Sequence, residues 1–173
     1  KDYKAALTRF KDLDYDAIIM PGYYTETGII TKQAREMGIN KPILGPDGFS
    51  DETFVKLSDK KNATDVYFVS GYSSKINLNE KAAAFIENYK KEYAEVPNMF
   101  AALAYDSVYM VAEASKNSSD STEVAKNLGQ LKNFEGVTGV MTIDEQHNPI
   151  KSALMVRLEN GAEESATPVE VKD

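Results

Sequence analysis

The sequence predicts an α/β fold whose lobes are built on parallel sheets. Two observations predict it. Short continuous apolar runs, Ala17-Ile18-Ile19-Met20 and Ile43-Leu44, alternate with stretches of helical periodicity, and such runs suit strands covered by helices on both faces. Each run ends in a glycine-bearing corner, Pro21-Gly22-Tyr23-Tyr24 after the first and Gly45-Pro46-Asp47-Gly48 after the second. Ligands bind parallel sheets at loops beyond the carboxyl ends of the strands, so both corners are expected side by side at one edge.

Tyr3, Leu7 and Phe10 fall at helical spacing in residues 2–12. Residues 14–20 read as a strand with Ile18, Ile19 and Met20 buried on both faces. Residues 26–37 form the next helix, with Ile30, Ala34 and Met37 inward and Gly38 just past its end. After the strand Ile43-Leu44, Ser50 is expected to cap a helix over residues 51–59. Residues 66–69 are a third strand, and Gly71-Tyr72-Ser73-Ser74 reads as a loop crossing between lobes. Asn77 and Glu80 have capping-box spacing before a helix over 79–93, lined by Ala82, Ile86, Tyr89 and Tyr93. Residues 99–115 are strongly apolar and predict a central, well-buried helix, with Leu103, Ser107, Met110 and Ala114 facing one way. Asp120 and Glu123 open a further helix to about residue 131. Residues 134–139 read as a glycine-punctuated connector. Residues 140–143 and 153–158 read as strands joined through a turn-rich loop into a hairpin, and the polar tail from Asn160 reads as loose.

The chain has 173 residues, 42% hydrophobic and 27% charged, enough apolar content to bury a core. A net charge of −7 argues against unspecific affinity for nucleic acid or an anionic membrane. The absence of cysteine excludes disulfides, thiolate metal sites and a cysteine nucleophile within the chain. No apolar run approaches the length of a membrane span. The first residue is Lys1 rather than Met, and the expectation is a processed chain or a fragment.

Few residues offer chemistry. His147 is the sole histidine and reads as a solvated turn residue, so neither a metal nor a cofactor is expected. Phosphate-binding glycine loops and a nucleophile elbow are both missing, which disfavours a nucleotide-binding protein and a serine hydrolase. Asp47 reads equally as a turn residue and a ligand residue, because Pro, Asp and Gly all favour turns. Tyr23 and Tyr24, taken alone, read as core aromatics. The pairing of the corners raises the functional reading of all three. Two aromatics beside one carboxylate suit a small cationic ligand with an apolar part.

The run from Asp16 to Gly48, with its two corners, resembles the branched-chain amino acid binding proteins of ABC importers, which are type I periplasmic-type receptors. Phe100-Ala101-Ala102-Leu103-Ala104-Tyr105-Asp106-Ser107 and Phe134-Glu135-Gly136-Val137-Thr138-Gly139, followed by Asp144, extend the likeness in the same order. The resemblance implies two α/β lobes joined by crossings and closing on an amino acid, with residues 1–70 the later half of one lobe and 71–173 the later part of the second. It implies that Tyr23 and Asp47 hold the ligand's α-ammonium group, with Tyr24 beside them and Phe100 lining the cleft. The family often has Glu at the second corner, where this chain has the shorter Asp47. Binding of leucine, isoleucine or valine for import follows, with a membrane permease as partner and no catalysis. A sensor or regulator of the same fold that binds an amino acid or amide is the alternative. The resemblance also implies an extracytoplasmic location, as a surface lipoprotein on a Gram-positive-type membrane or in a periplasm. Family members are about twice this length. The 173 residues alone are therefore expected to dimerise or to be held by another fragment, and to bind ligand weakly.

Overall fold

The computed structural model describes residues 1–76 and 79–169. By internal packing the chain divides into two units, one of Lys1–Ser70 with Leu154–Pro168 and one built on Gly71–Ala153.

The first unit is a sheet with helices. In chain order it contains α1 (Lys4–Lys11), β1 (Ile18–Ile19), α2 (Tyr24–Glu36), β2 (Ile43–Gly45), a 3₁₀ turn (Asp47–Phe49), α3 (Glu52–Ser58) and β3 (Val66–Ser70). Strands β1, β2 and β3 run parallel, Ile18 opposite Ile43 and Ile43 opposite Val66. Helix α2 ends as its sequence predicts: Gly38 takes φ +80°, its N–H donates to the Arg35 carbonyl at 3.0 Å, and Ile39 N–H reaches the Ala34 carbonyl at 2.9 Å. These bonds satisfy carbonyls that the helix end would otherwise leave open. The Arg35 guanidinium then binds the carbonyls of Ile39, Lys41 and Thr64 at 2.8–2.9 Å, fixing the loops that feed β2 and β3.

Three expectations for this unit need correction. Ile19 is 79% exposed rather than buried: β1 is an edge strand, and only Ile18 packs against Leu7, Ala34 and Ile39. The cap of α3 is Asp51, whose carboxylate accepts from Thr53 N–H at 2.8 Å, because Ser50 is used to close the preceding 3₁₀ turn. The described part of the tail, residues 160–169, is not loose. Strand β7 (Ala153–Glu159) turns through Asn160 and Gly161, both at positive φ, into β8 (Ala162–Val169) beside it. A two-residue turn of that twist needs positive φ at both positions, which Asn-Gly supplies.

Strand β7 also explains why the expected hairpin between residues 140–143 and 153–158 does not form. Leu154, Val156 and Leu158 are buried on one face of β7, which pairs antiparallel with β3 in the five-stranded order β1-β2-β3-β7-β8. The C-terminal hairpin is thus β7–β8.

The second unit contains α4 (Glu80–Tyr93), α5 (Met99–Ala114), α6 (Ser121–Gly129), β4 (Phe134–Gly136), β5 (Gly139–Ile143) and β6 (Pro149–Ile150). Asn77, expected to cap α4, lies outside the described residues. The cap is made by Asn79, which accepts from Ala82 N–H at 2.8 Å. Asn98 and Asp120 cap α5 and α6 in the same way. The expected connector is a tight antiparallel hairpin, β4 and β5, with Val137 and Thr138 at its tip. Strand β5 takes β6 as its other neighbour. Tyr72, Ala82, Phe85, Met99, Ala102 and Val137 form the buried core. Helix α5 is less buried than its composition predicts. Met99, Ala102, Asp106 and Ala114 are covered, whereas Tyr105, Val108, Tyr109 and Val111 are exposed, because no described element of the unit covers that face.

Candidate functional site

Strands β1 and β2 deliver the two corners. At the second, the Phe49 ring lies where a Cβ on Gly45 would come within 2.5–2.6 Å of it, so glycine is required for the ring to fold back. Phe49 is 1% exposed and stacks on Phe54 with ring centroids 4.7 Å apart. That buried wedge, with the Phe49 N–H to Pro46 carbonyl bond at 3.2 Å, turns the chain sharply. Asp47 is left exposed at the outside of the turn.

The first corner is fixed from the helix side. Thr27, buried in α2, donates both its N–H and its hydroxyl to the Tyr23 carbonyl, at 3.1 and 2.8 Å. Tyr23 stands just before the helix in extended conformation with its side chain 66% exposed, and Tyr24 opens the helix half-buried. The corners press on each other: a Cβ on Gly48 would fall 2.6 Å from the Gly22 carbonyl oxygen and 3.1–3.2 Å from Tyr23. Only a glycine permits that approach. The two corners therefore meet at the carboxyl ends of adjacent parallel strands, with Tyr23 and Tyr24 on one and Asp47 on the other. Phe100 belongs to the second unit, at the start of α5, half-buried against the core of Tyr72, Phe85 and Met99.

The sequence reading passed over two features. Ser50 and Ser70 join hydroxyls at 3.2 Å, tying the second corner to the end of β3. In the second unit, Asp106 is 2% exposed on α5 and accepts Val137 N–H at 2.7 Å, Thr138 N–H at 2.9 Å and the Thr138 hydroxyl at 2.7 Å. A Cβ on Gly136 would collide with that carboxylate at 2.4–2.6 Å, so the glycine admits it. Lys151 donates to the Thr138 hydroxyl at 2.7 Å and to the Gly71 carbonyl at 3.2 Å. Burial pushes the Lys151 ammonium below its ordinary pKa, and the Asp106 charge draws it back up. The signal for Asp106 was a carboxylate in the middle of an apolar helix, since buried charge requires partners. His147 is exposed at the turn, as expected.

The corners present an exposed carboxylate and an exposed phenol at the ends of parallel strands, the edge at which parallel sheets bind ligands. The family described as periplasmic binding protein matches residues 1–163, and the chain belongs to that family. The structure is similar to the branched-chain amino acid transporter substrate-binding protein LivJ from Streptococcus pneumoniae, solved in complex with isoleucine. Identity is 49% and the TM-score 0.91, over 97% of this chain and 48% of that one. It is also similar to a leucine-binding protein LivK from Thermotoga maritima, with 30% identity and a TM-score of 0.88, covering 96% of this chain and 48% of that one. Leu/Ile/Val-binding protein homolog 3 of Brucella melitensis is 27% identical over 145 residues, 84% of this chain and 39% of that protein. The chain thus spans about half the length of its solved relatives, and less of the curated one. Its fold is that of the type I periplasmic binding proteins.

Proposed function

We propose that the chain is part of an extracytoplasmic receptor that binds branched-chain amino acids for an ABC importer. The observation that supports this reading is the contact between the two corners, where Gly48 lies against Gly22 and Tyr23 and brings the turn of Asp47 against the corner that carries the two tyrosines. Asp47 and the Tyr23 hydroxyl bind the ligand's α-ammonium group, a charge-assisted arrangement. Tyr24 and Phe100 supply aromatic surface for the aliphatic side chain, and closure of the lobes completes the site. Residues Lys1–Ser70 with Leu154–Pro168 belong to the later half of one lobe, and Gly71–Ala153 to the later part of the second. The likeness to LivJ, solved in complex with isoleucine, supports the ligand class. The receptor passes its ligand to a membrane permease and is anchored as a surface lipoprotein.

The exposed apolar groove of about 490 Å³ beside α1 and β1, and the exposed face of α5, are occupied in the full-length receptor by the remainder of each lobe. The 173 residues alone then expose a sheet edge and associate, since unpaired edges recruit other chains. Sedimentation should find a dimer, and calorimetry should find weak or no amino-acid binding. Calorimetry of the full-length protein against all amino acids tests the function. Binding of leucine, isoleucine or valine is expected, and the absence of heat with any amino acid would overturn it.

A further inference from the structure

Lys151 joins two points of the second unit that the sequence separates by eighty residues. Gly71 is the first residue of that unit after the chain leaves β3, and Lys151 stands two residues before Ala153, where the chain passes on to the rest of β7. The ammonium donates to the Gly71 carbonyl and to the Thr138 hydroxyl, and the hydroxyl in turn donates a hydrogen bond to Asp106. Every donor in that series faces an acceptor. Gly71 is gripped from its other side as well, its N–H directed at the Met99 sulfur at 3.3 Å. Lys151, anchored through Thr138 to the buried carboxylate on α5, thereby ties the entry of the unit to its exit.

We propose that Lys151 is a positioning residue that limits the freedom of these two crossings and so sets how readily the receptor's lobes close on its ligand. The inference rests on the binding function proposed above. Its effect passes through Gly71 and the crossing that Gly71 begins. An untethered crossing widens the range of open conformations, and the closed state becomes a smaller share of the population, which lowers apparent affinity in proportion.

These 173 residues contain no cysteine, and with any cysteine elsewhere in the full-length protein replaced by serine, spin labels can be directed to Asn40→Cys and Ser119→Cys, two exposed positions, one in each unit. In the full-length protein without ligand, the distribution of distances between the labels should broaden on Lys151→Met, which removes the ammonium and keeps the bulk. Thr138→Val, which removes the hydroxyl that receives it, should broaden the distribution too. Affinity for isoleucine should fall about tenfold in Lys151→Met, within the range of modest coupling between sites. An unchanged distribution in either folded variant overturns the proposal, even where affinity falls. Because the labels are read without ligand, this result stands apart from the function: a receptor that bound no amino acid would sink the function and leave the tether to be judged on the distances.

Discussion

Two acidic residues of this chain sit in opposite circumstances. Asp47 is exposed at a corner whose shape is set by its neighbours: Phe49 wedged over Gly45, and Gly48 pressed on Gly22. Asp106 is buried, and its carboxylate carries three hydrogen bonds that hold the tip of the β4–β5 hairpin onto α5. The first carboxylate is presented by structure; the second holds structure together. The same side chain serves stability where the chain itself supplies its partners, and under the proposed function it serves binding where they come from outside. Substitution should separate the two: one should cost folding and the other affinity.

The largest effect is expected at Asp106. Asp106→Ala leaves two backbone donors and a hydroxyl buried without an acceptor, and strips Lys151 of its nearest carboxylate. Loss of a buried charged partner costs about 3–5 kcal/mol, and denaturant unfolding of the full-length protein should show it. A loss below about 1 kcal/mol would mean that water replaces the carboxylate.

Next comes Gly48→Ala. The new methyl would stand 2.6 Å from the Gly22 carbonyl, so the corners must part. Displacement of the ligand groups should weaken isoleucine binding by about 2 kcal/mol, the scale of a hydrogen bond to a charged group. Calorimetry reads this directly, and unchanged binding would detach the corner contact from the site. Tyr23→Phe should have the smallest effect. It removes one hydroxyl and keeps the ring, at about 1 kcal/mol of affinity and with an unfolding midpoint near that of the unsubstituted protein.

Much of this was legible in the sequence, and the reasons differ by residue. The helices announced themselves through periodicity, and Gly38 and Asp120 marked an end and a beginning through local chemistry alone. The corners were legible because they follow apolar runs, although the Phe49 wedge that shapes the second was not, since a ring folding onto a glycine is a tertiary event. Asn160-Gly161 was readable as a hairpin turn and was masked by the polar residues that follow; Arg157, paired with Glu164 at 2.7 Å, lets such a strand lie at a sheet edge. The partner of β7 could not be read. Its alternating burial fixes which face is inward, but the choice of β3 over β5 is a long-range pairing on which local pattern is silent. Asp106 stood out as a charge among apolar residues, yet its acceptors' partners lie some thirty residues onward.

The most direct test is isoleucine calorimetry on full-length Asp47→Asn, which removes the charge and keeps the size of the side chain. The account predicts that affinity falls by about 1.5–3 kcal/mol, the worth of a hydrogen bond to a charged group, while the unfolding midpoint stays within the small range of a surface substitution. Isoleucine binding as tight as in the unsubstituted protein would contradict it and leave Asp47 as a turn residue.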